Sequence, residues 1–428
     1  MQPSYYLKAY PEGNGSDRVI LYSTKRGSIA LVERETWQKL KNGELSPDEA
    51  DLLKGLGMAV EDRETEKEEV FSSLDRLNAD NPELHITVVV NMDCNFACTY
   101  CYEGDMKGNL YMSENTKQGM IRLIRDIIER EKKTSLLVDF FGGEPLLSIP
   151  LLREIAGELN TIDQVSKRLT LVTNGSLLKK GIVEELLPLG LELVKVTIDG
   201  PAEEHNRTRP FKNGKGSFDS IIKNLKDVCD MVNIHIGGNF TEKSYTSFPS
   251  LMDYLIKEGL TPDRAIAIKF DPVLGASKDT IAPPRPHGTC ATISDPWVIE
   301  ATTMLRKEIL KRGYRTQKIT PLLCAVENKS AFTVNFDGLI YKCPAFLGIK
   351  GFEVGDVKRG IENYAEAYNL DLWKNDTCMA CEYLPLCFGG CRYVRFIRYG
   401  NLDAPDCKKA YLDTALETTI KQDIRYRS

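Results

Sequence analysis

Ten of the 12 cysteines in this chain fall into two groups. The first is Cys94-Asn95-Phe96-Ala97-Cys98-Thr99-Tyr100-Cys101, a C-x₃-C-x₂-C run. Thiols this close on one loop suit a shared metal centre. Structural zinc takes four ligands, and no further Cys or His follows nearby. A [4Fe–4S] cluster is normally held by four Cys, so three leave one iron open to an exogenous ligand. Zinc completed from a distant part of the chain remains an alternative on spacing alone. The second group runs Cys324-x₁₃-Gly338-x₄-Cys343, then Cys378-x₂-Cys381-x₅-Cys387-x₃-Cys391, then Cys407. Its seven thiols exceed one Cys₄ zinc site, although C-x₂-C also occurs in zinc ribbons.

These thiols sit in an ordinary globular composition. The chain has 428 residues, 42% hydrophobic and 27% charged, with a net charge of −5. That balance disfavours nucleic-acid binding by bulk charge. No run approaches the length of a membrane span, and MQPSYYLKAYPEGNGSDR lacks the apolar core of a signal peptide. The expected location is the cytoplasm, where clustered cysteines bind metal rather than pair as disulfides.

The elements that must position the thiols follow from periodicity. Residues 1–75 predict a small α+β domain. YYLKAY, VILYST and SIALVE read as strands, RETWQKLKNG and SPDEADLLKGLG as helices. Ser46 with Glu49 has capping-box spacing. The charged stretch 61–69 reads as a linker or exposed helix. Over 84–275 strands alternate with amphipathic helices. Strands are expected at 85–90, 136–142, 169–175, 191–199, 232–240 and 265–273. Six parallel strands with right-handed crossovers predict an α/β fold, a partial (β/α)₆ barrel. Residues 276–320 read as a Pro- and Gly-rich linker followed by a helix. Residues 321–428 form the cysteine-rich end, with a hairpin at Asp337-Gly338 and a closing helix.

Polar motifs stand where these strands end, the place where barrel active sites lie. They are Phe141-Gly142-Gly143-Glu144-Pro145, Thr173-Asn174-Gly175-Ser176 and Thr197-Ile198-Asp199-Gly200, followed by His205-x₃-Arg209. Each alone is an ordinary turn. In this order behind C-x₃-C-x₂-C they resemble the radical S-adenosylmethionine (SAM) superfamily across residues 85–275. The resemblance implies that Cys94, Cys98 and Cys101 hold a [4Fe–4S] cluster whose open iron binds SAM. One electron then cleaves SAM to methionine and a 5′-deoxyadenosyl radical, which abstracts a hydrogen from substrate. It further implies that Gly142, Gly143 and Glu144 receive the SAM amino group. Thr173, Asn174, Ser176, Thr197 and Asp199 would serve its ribose and methionine portion, Arg209 its carboxylate, and Tyr100 would pack near the adenine.

The second cysteine group resembles the SPASM extension of peptide-modifying radical SAM enzymes, which carries two further [4Fe–4S] clusters. By position, Cys324, Cys343 and Cys391 would hold auxiliary cluster I, and Cys378, Cys381, Cys387 and Cys407 auxiliary cluster II. Sulfatase maturases place a fourth ligand of cluster I about six residues before the first of these cysteines, where this chain has Lys318. Cluster I is therefore expected to keep an open iron or to be completed by Cys290. Cys229, inside a helical apolar pattern, is expected to be core. Sulfatase maturases also have an Asp as catalytic base directly after the cysteine matching Cys343, where this chain has Pro344. That departure turns the expectation from formylglycine formation towards peptide cross-linking. FFGGEPLL and the chain layout resemble thioether-forming, geopeptide-type maturases.

The resulting expectation is a peptide maturase with three [4Fe–4S] clusters and SAM. Its partners would be a precursor peptide, with a leader and a Cys-containing core, and a reductant such as flavodoxin or ferredoxin. The N-terminal domain is expected either to bind the leader as an added β-strand or only to cap the barrel. Other SPASM reactions (carbon–carbon cross-linking, epimerisation, formylglycine formation) and a non-enzymatic zinc or electron-transfer protein are the alternatives. No residue is assigned as catalytic acid or base.

Overall fold

Six strands pair in chain order: Glu83–Asn91 (β1), Ser135–Gly142 (β2), Ser166–Thr173 (β3), Leu191–Thr197 (β4), Asn233–Phe240 (β5) and Ile266–Pro272 (β6). Each runs parallel to the next. The computed structural model describes every residue except Asn14, Tyr102, Gln164, Ala265, 274–294, Leu322, Leu323, Asn363 and Ser428. The linker expected from residue 276, and Cys290 within it, therefore lie outside the described residues.

Alternation along each strand explains the layering. Ile86, Val88, Leu136, Val138, Leu171, Val194, Ile236 and Ile268 are all at most 1% exposed and belong to the main core. The neighbours with opposite parity line the lumen: Asp139 and Phe141, Lys195 and Thr197, Gly237 and Asn239, Lys269 and Asp271. Period-2 pleating sends one set to the helices and the other to the cavity.

The connecting helices include Glu114–Glu131 (α1), Ile149–Asn160 (α2), Lys180–Leu186 (α3), Ala202–Thr208 (α4), Phe218–Val228 (α5) and Phe248–Lys257 (α6). Ser113 caps α1 by accepting the Thr116 N–H at 3.1 Å. Apolar residues then recur along the buried face of α1 at Met120, Ile124, Ile127 and Ile128.

The cysteine-rich end is not a detached module. Ala331–Val334 (β7) pairs in parallel with β1, putting Phe332 opposite Ile86. Leu339–Tyr341 (β8), Glu353–Asp356 (β9) and Gly360–Ile361 (β10) follow antiparallel, so one ten-stranded sheet spans barrel and C-terminal region. The free edge of β1 supplies the reason, because unpaired backbone groups on a buried strand must find partners. The hairpin turns at Gly338, with φ +89°.

The N-terminal region is a three-stranded antiparallel sheet (Leu7–Pro11, Arg18–Ser23, Ile29–Glu33) with helices Arg34–Asn42 and Pro47–Gly55. Ser46 and Glu49 form the expected capping box. The charged stretch from residue 61 is, as expected, a mostly exposed helix, with Glu66 the one buried residue between 61 and 69. The helix runs for 17 residues, Arg63–Ala79. Glu66 accepts from Ser4 Oγ at 2.5 Å and from the Tyr5 N–H at 2.8 Å, and pairs with Lys25. Val70 and Leu74 of the same helix pack with Tyr6, Trp373 and Leu384. Ile20 and Tyr22 pack on Leu412, Leu416 and Ile420 of the last helix, Lys409–Tyr426 (α8). Preceding it, Pro296–Lys311 (α7) joins α8 through an Arg306–Asp423 ion pair at 2.6 Å. Among the described residues no helix is long and apolar enough to cross a membrane.

Candidate active site

Cys94, Cys98 and Cys101 line a cavity of about 330 Å³ at the C-terminal ends of the barrel strands. Two glycines set the loop that carries them. A Cβ on Gly142 would lie 2.3 Å from the Asn91 carbonyl oxygen, and one on Gly143 2.2 Å from that of Asp93. Only glycine lets the end of β2 approach the loop so closely, and Gly142 also has φ +134°. The loop is tied on its other side by the end of α4 and the segment that follows it. Ala97 N–H donates to Pro210 O and Thr99 N–H to Thr208 O, each at 2.9 Å. Asn95 donates to Ser176 Oγ at 2.9 Å and accepts from Asn174 Nδ2 at 2.8 Å. Burial pushes the Cys94 thiol up to about 11, with Lys107 pulling against it. Burial raises Cys101 as well.

Of the ten residues expected to serve SAM, Gly142, Gly143, Thr173, Asn174, Thr197 and Arg209 line the cavity. Tyr100, Glu144, Ser176 and Asp199 are instead buried beside it, with their polar groups engaged by the protein. Glu144 is 0% exposed. Its carboxylate accepts from Thr173 Oγ1 at 2.7 Å, Asn174 N–H at 2.7 Å and Leu146 N–H at 3.0 Å. It therefore stitches β2 to β3, and burial raises its pKa against those three donors.

Tyr100 belongs to a second buried knot. Its hydroxyl donates to Asp199, and it accepts from Arg209 Nη1 at 2.7 Å and Asn239 Nδ2 at 3.0 Å. Asp199 also accepts the Asn239 N–H at 2.8 Å. Burial raises the Asp199 carboxyl, while Arg209 opposes the rise. Arg209 Nε is buried and has no hydrogen-bond partner among the described residues. His205 does not line the cavity. Its Nδ1 accepts the Asp199 N–H and its Nε2 faces Ser217 Oγ at 3.0 Å.

Sequence reasoning missed Glu103, Lys107, Asn239 and Asp271 as cavity residues. Asn239 and Asp271 end β5 and β6 at lumen parity, a signal the strand pattern already carried. Glu103 and Lys107 come from the loop after Cys101, where periodicity says nothing.

Cys378, Cys381, Cys387 and Cys407 line a second cavity, of about 260 Å³, together with Tyr5 of the N-terminal region. Burial pushes the Cys387 thiol up to about 11. Burial raises the Cys324 and Cys343 thiols, Cys343 to about 12, and the nearby Cys391 adds to both. Behind them Arg392 pairs with Glu327, both nearly fully buried. Pro344 opens a short 3₁₀ turn, Pro344–Phe346, directly after Cys343. Lys318 is exposed, and Cys229 is 2% exposed in the main core. Among the described residues no three His, Cys, Asp or Glu side chains close on a single-ion site.

Residues 88–244 match the family model of the Radical SAM superfamily. The chain is 22% identical to the radical SAM cyclopropyl synthase TigE of Paramaledivibacter caminithermalis, over 74% of its own length and 69% of the relative's. It is 24% identical to the cysteine-type anaerobic sulfatase-maturating enzyme of Clostridium novyi, over 70% and 85%. Among solved structures it resembles anSMEcpe with bound AdoMet and Kp18Cys peptide, with TM-score 0.60, 16% identity and coverage of 80% and 98%. It also resembles Streptococcus suis SuiB, with TM-score 0.54, 14% identity and coverage of 94% and 98%.

Proposed function

Since this chain is a radical SAM superfamily enzyme, we propose that it is a maturase of a ribosomally made precursor peptide, joining a Cys sulfur to a peptide carbon as a thioether. The observation that carries this reading is the pairing of two thiol-lined cavities, three cysteines at the mouth of the barrel and four in the C-terminal region. SuiB has been solved bound to the precursor peptide SuiA, and relatives include sulfatase-maturating enzymes.

The donor set fits the cofactors. Three thiols beside a wall that is bare at Gly237 leave room for a cluster and a nucleoside ligand. When bound, the [4Fe–4S] cluster and SAM supply a 5′-deoxyadenosyl radical that removes a hydrogen atom. Arg209 offers an unpartnered Nε to the SAM carboxylate. Thr173, Asn174 and Thr197 offer polar groups from the strand ends, while Glu144 and Asp199 act through the residues they hold.

Cys378, Cys381, Cys387 and Cys407 would hold one auxiliary [4Fe–4S] cluster. Four Cys around one cavity are the donor set such a cluster takes. Cys324, Cys343 and Cys391 would hold the other, leaving an iron for the substrate thiolate. Cys290 is the competing ligand, and Cys290→Ala decides between them through iron content and the electron paramagnetic resonance signal without peptide. Pro344 supplies no carboxylate beside Cys343, which favours cross-linking over formylglycine formation. A leader would add to an edge of the N-terminal sheet, and flavodoxin or ferredoxin would supply electrons.

The test is anaerobic reaction of the reconstituted enzyme with SAM, reductant and a Cys-containing precursor encoded beside its gene. The expected product has lost two hydrogen atoms in mass, with its thiol no longer alkylatable. A product with the thiol intact would overturn thioether formation.

A further inference from the structure

Below the proposed SAM site the barrel lumen holds a cavity of about 630 Å³. Closed (β/α) barrels usually fill this level with Val, Ile and Leu. Here, beside Leu137 and Leu193, the lumen positions carry His85, Asp139, Thr170, Lys195, His235 and Lys269, and Arg315 reaches the same cavity from the segment beside β6. The carboxylates on these walls are already engaged. Asp139 accepts from His85 Nε2 at 2.8 Å and from Thr170, and Lys195 lies 3.6 Å away. Asp271 pairs with Lys269 at 2.9 Å, at the boundary with the upper cavity. At the rim, Arg168 pairs with Glu83 and lies 3.7 Å from Glu192. Among the described residues Arg315 makes no ion pair, and Lys195 makes only its long one to Asp139. His235 stands beside Lys195 in the strand register. Burial, with help from Lys195 and Lys269, holds its imidazole pKa below the usual value.

We propose that the lower lumen is a carboxylate-binding subsite, in which Lys195 and Arg315 seat an acidic side chain of the substrate peptide. The proposal rests on the peptide reading above and adds a specificity determinant to it. Gly237 lines the upper cavity and His235 the lower. One inward step along a strand is about 7 Å. An extended peptide with its reacting residue in the upper cavity would therefore place the residue two or three positions away among these cations. Arg315 suits a carboxylate because its planar fork can donate two parallel hydrogen bonds.

The experiment uses the reconstituted full chain with SAM and the leader-bearing Cys-containing precursor encoded beside its gene, made with Glu or Gln three residues from the Cys. Glutarate serves as a separate probe, and binding is read by calorimetry. The Glu peptide should bind at least tenfold tighter than the Gln peptide. Lys195→Gln with Arg315→Gln should erase that preference without weakening the Gln peptide, and Arg315→Lys with native Lys195 should restore part of it. Equal binding of both peptides to the wild type would overturn the subsite. Binding of neither peptide, with glutarate still bound in a Lys195- and Arg315-dependent way, would uphold the subsite and overturn the peptide reading. Binding of neither peptide nor glutarate would overturn both. Circular dichroism and peptide-free 5′-deoxyadenosine formation should be unchanged in every variant.

Discussion

The Nδ1 atom of His205 accepts the backbone N–H of Asp199 at 3.1 Å. That acceptance assigns the ring proton to Nε2, which donates to Ser217 Oγ, whose hydroxyl in turn donates to Arg209 O at 2.6 Å. A neutral imidazole thus fixes the backbone at both ends of the Asp199–Arg209 segment.

Burial, with help from Arg209, lowers the His205 pKa from 6.5 to about 3. Between those values the unfolded chain binds the extra proton, so stability rises with pH across this window and is complete above the unfolded value. The full effect is on the order of 5 kcal/mol. Urea unfolding of the apo-protein should show a steeper gain from about pH 4 to pH 6 in wild type than in His205→Gln. Identical slopes would assign the acid sensitivity to other groups.

Replacing Cys94, Cys98 and Cys101 together by Ala should abolish 5′-deoxyadenosine formation under anaerobic, reducing conditions. Three four-iron clusters predict about twelve iron atoms per chain, and the triple variant should keep about eight. A wild-type content near four would assign the C-terminal thiols another role.

Glu144→Gln should destabilise the protein by about 2–3 kcal/mol even without SAM, because a buried carboxylate holding three donors is replaced by an amide. Chemical denaturation of the SAM-free chain measures this. A variant as stable as wild type but unable to bind SAM would mean that Glu144 acts by touching the ligand.

Removing residues 1–75 should not leave an intact remainder. Tyr5 lines the cavity of Cys378 and Cys381, and its hydroxyl donates to Ala380 O at 2.8 Å. The deletion would also uncover Leu412, Leu416 and Ile420. Each large apolar side chain moved into water costs about 1.5–3 kcal/mol. The truncated chain should lose about four irons and melt at least 10 °C lower, while any surviving folded fraction still cleaves SAM. Full retention of iron would assign those residues to peptide binding alone.

The barrel was legible because alternation and length separate its strands from its helices, and β1 to β6 lie within a few residues of their expected bounds. The joining of β7 to β1 was not, because edge pairing leaves no mark in local periodicity. The cavity thiols were legible from spacing, which covalent reach constrains. The engagement of Glu144 by Thr173 and Asn174 was not. A carboxylate after two glycines looks the same in sequence whether it meets a ligand or a neighbouring strand. The charged lumen was overlooked for a related reason. Lys195 and Lys269 read as the solvent side of alternating strands until the sheet curls around them.

The contact between Ile20, Tyr22 and α8 also constrains how the chain is born. The apolar face of the first sheet emerges from the ribosome almost 400 residues before its cover, a wait of roughly 20–80 s at ordinary elongation rates. Cys378, Cys381 and Cys387 are made only in about the last 2–7 s of that interval, so it is the first sheet that waits uncovered. Until α8 docks, the face carrying Ile20 and Tyr22 is open to non-specific association.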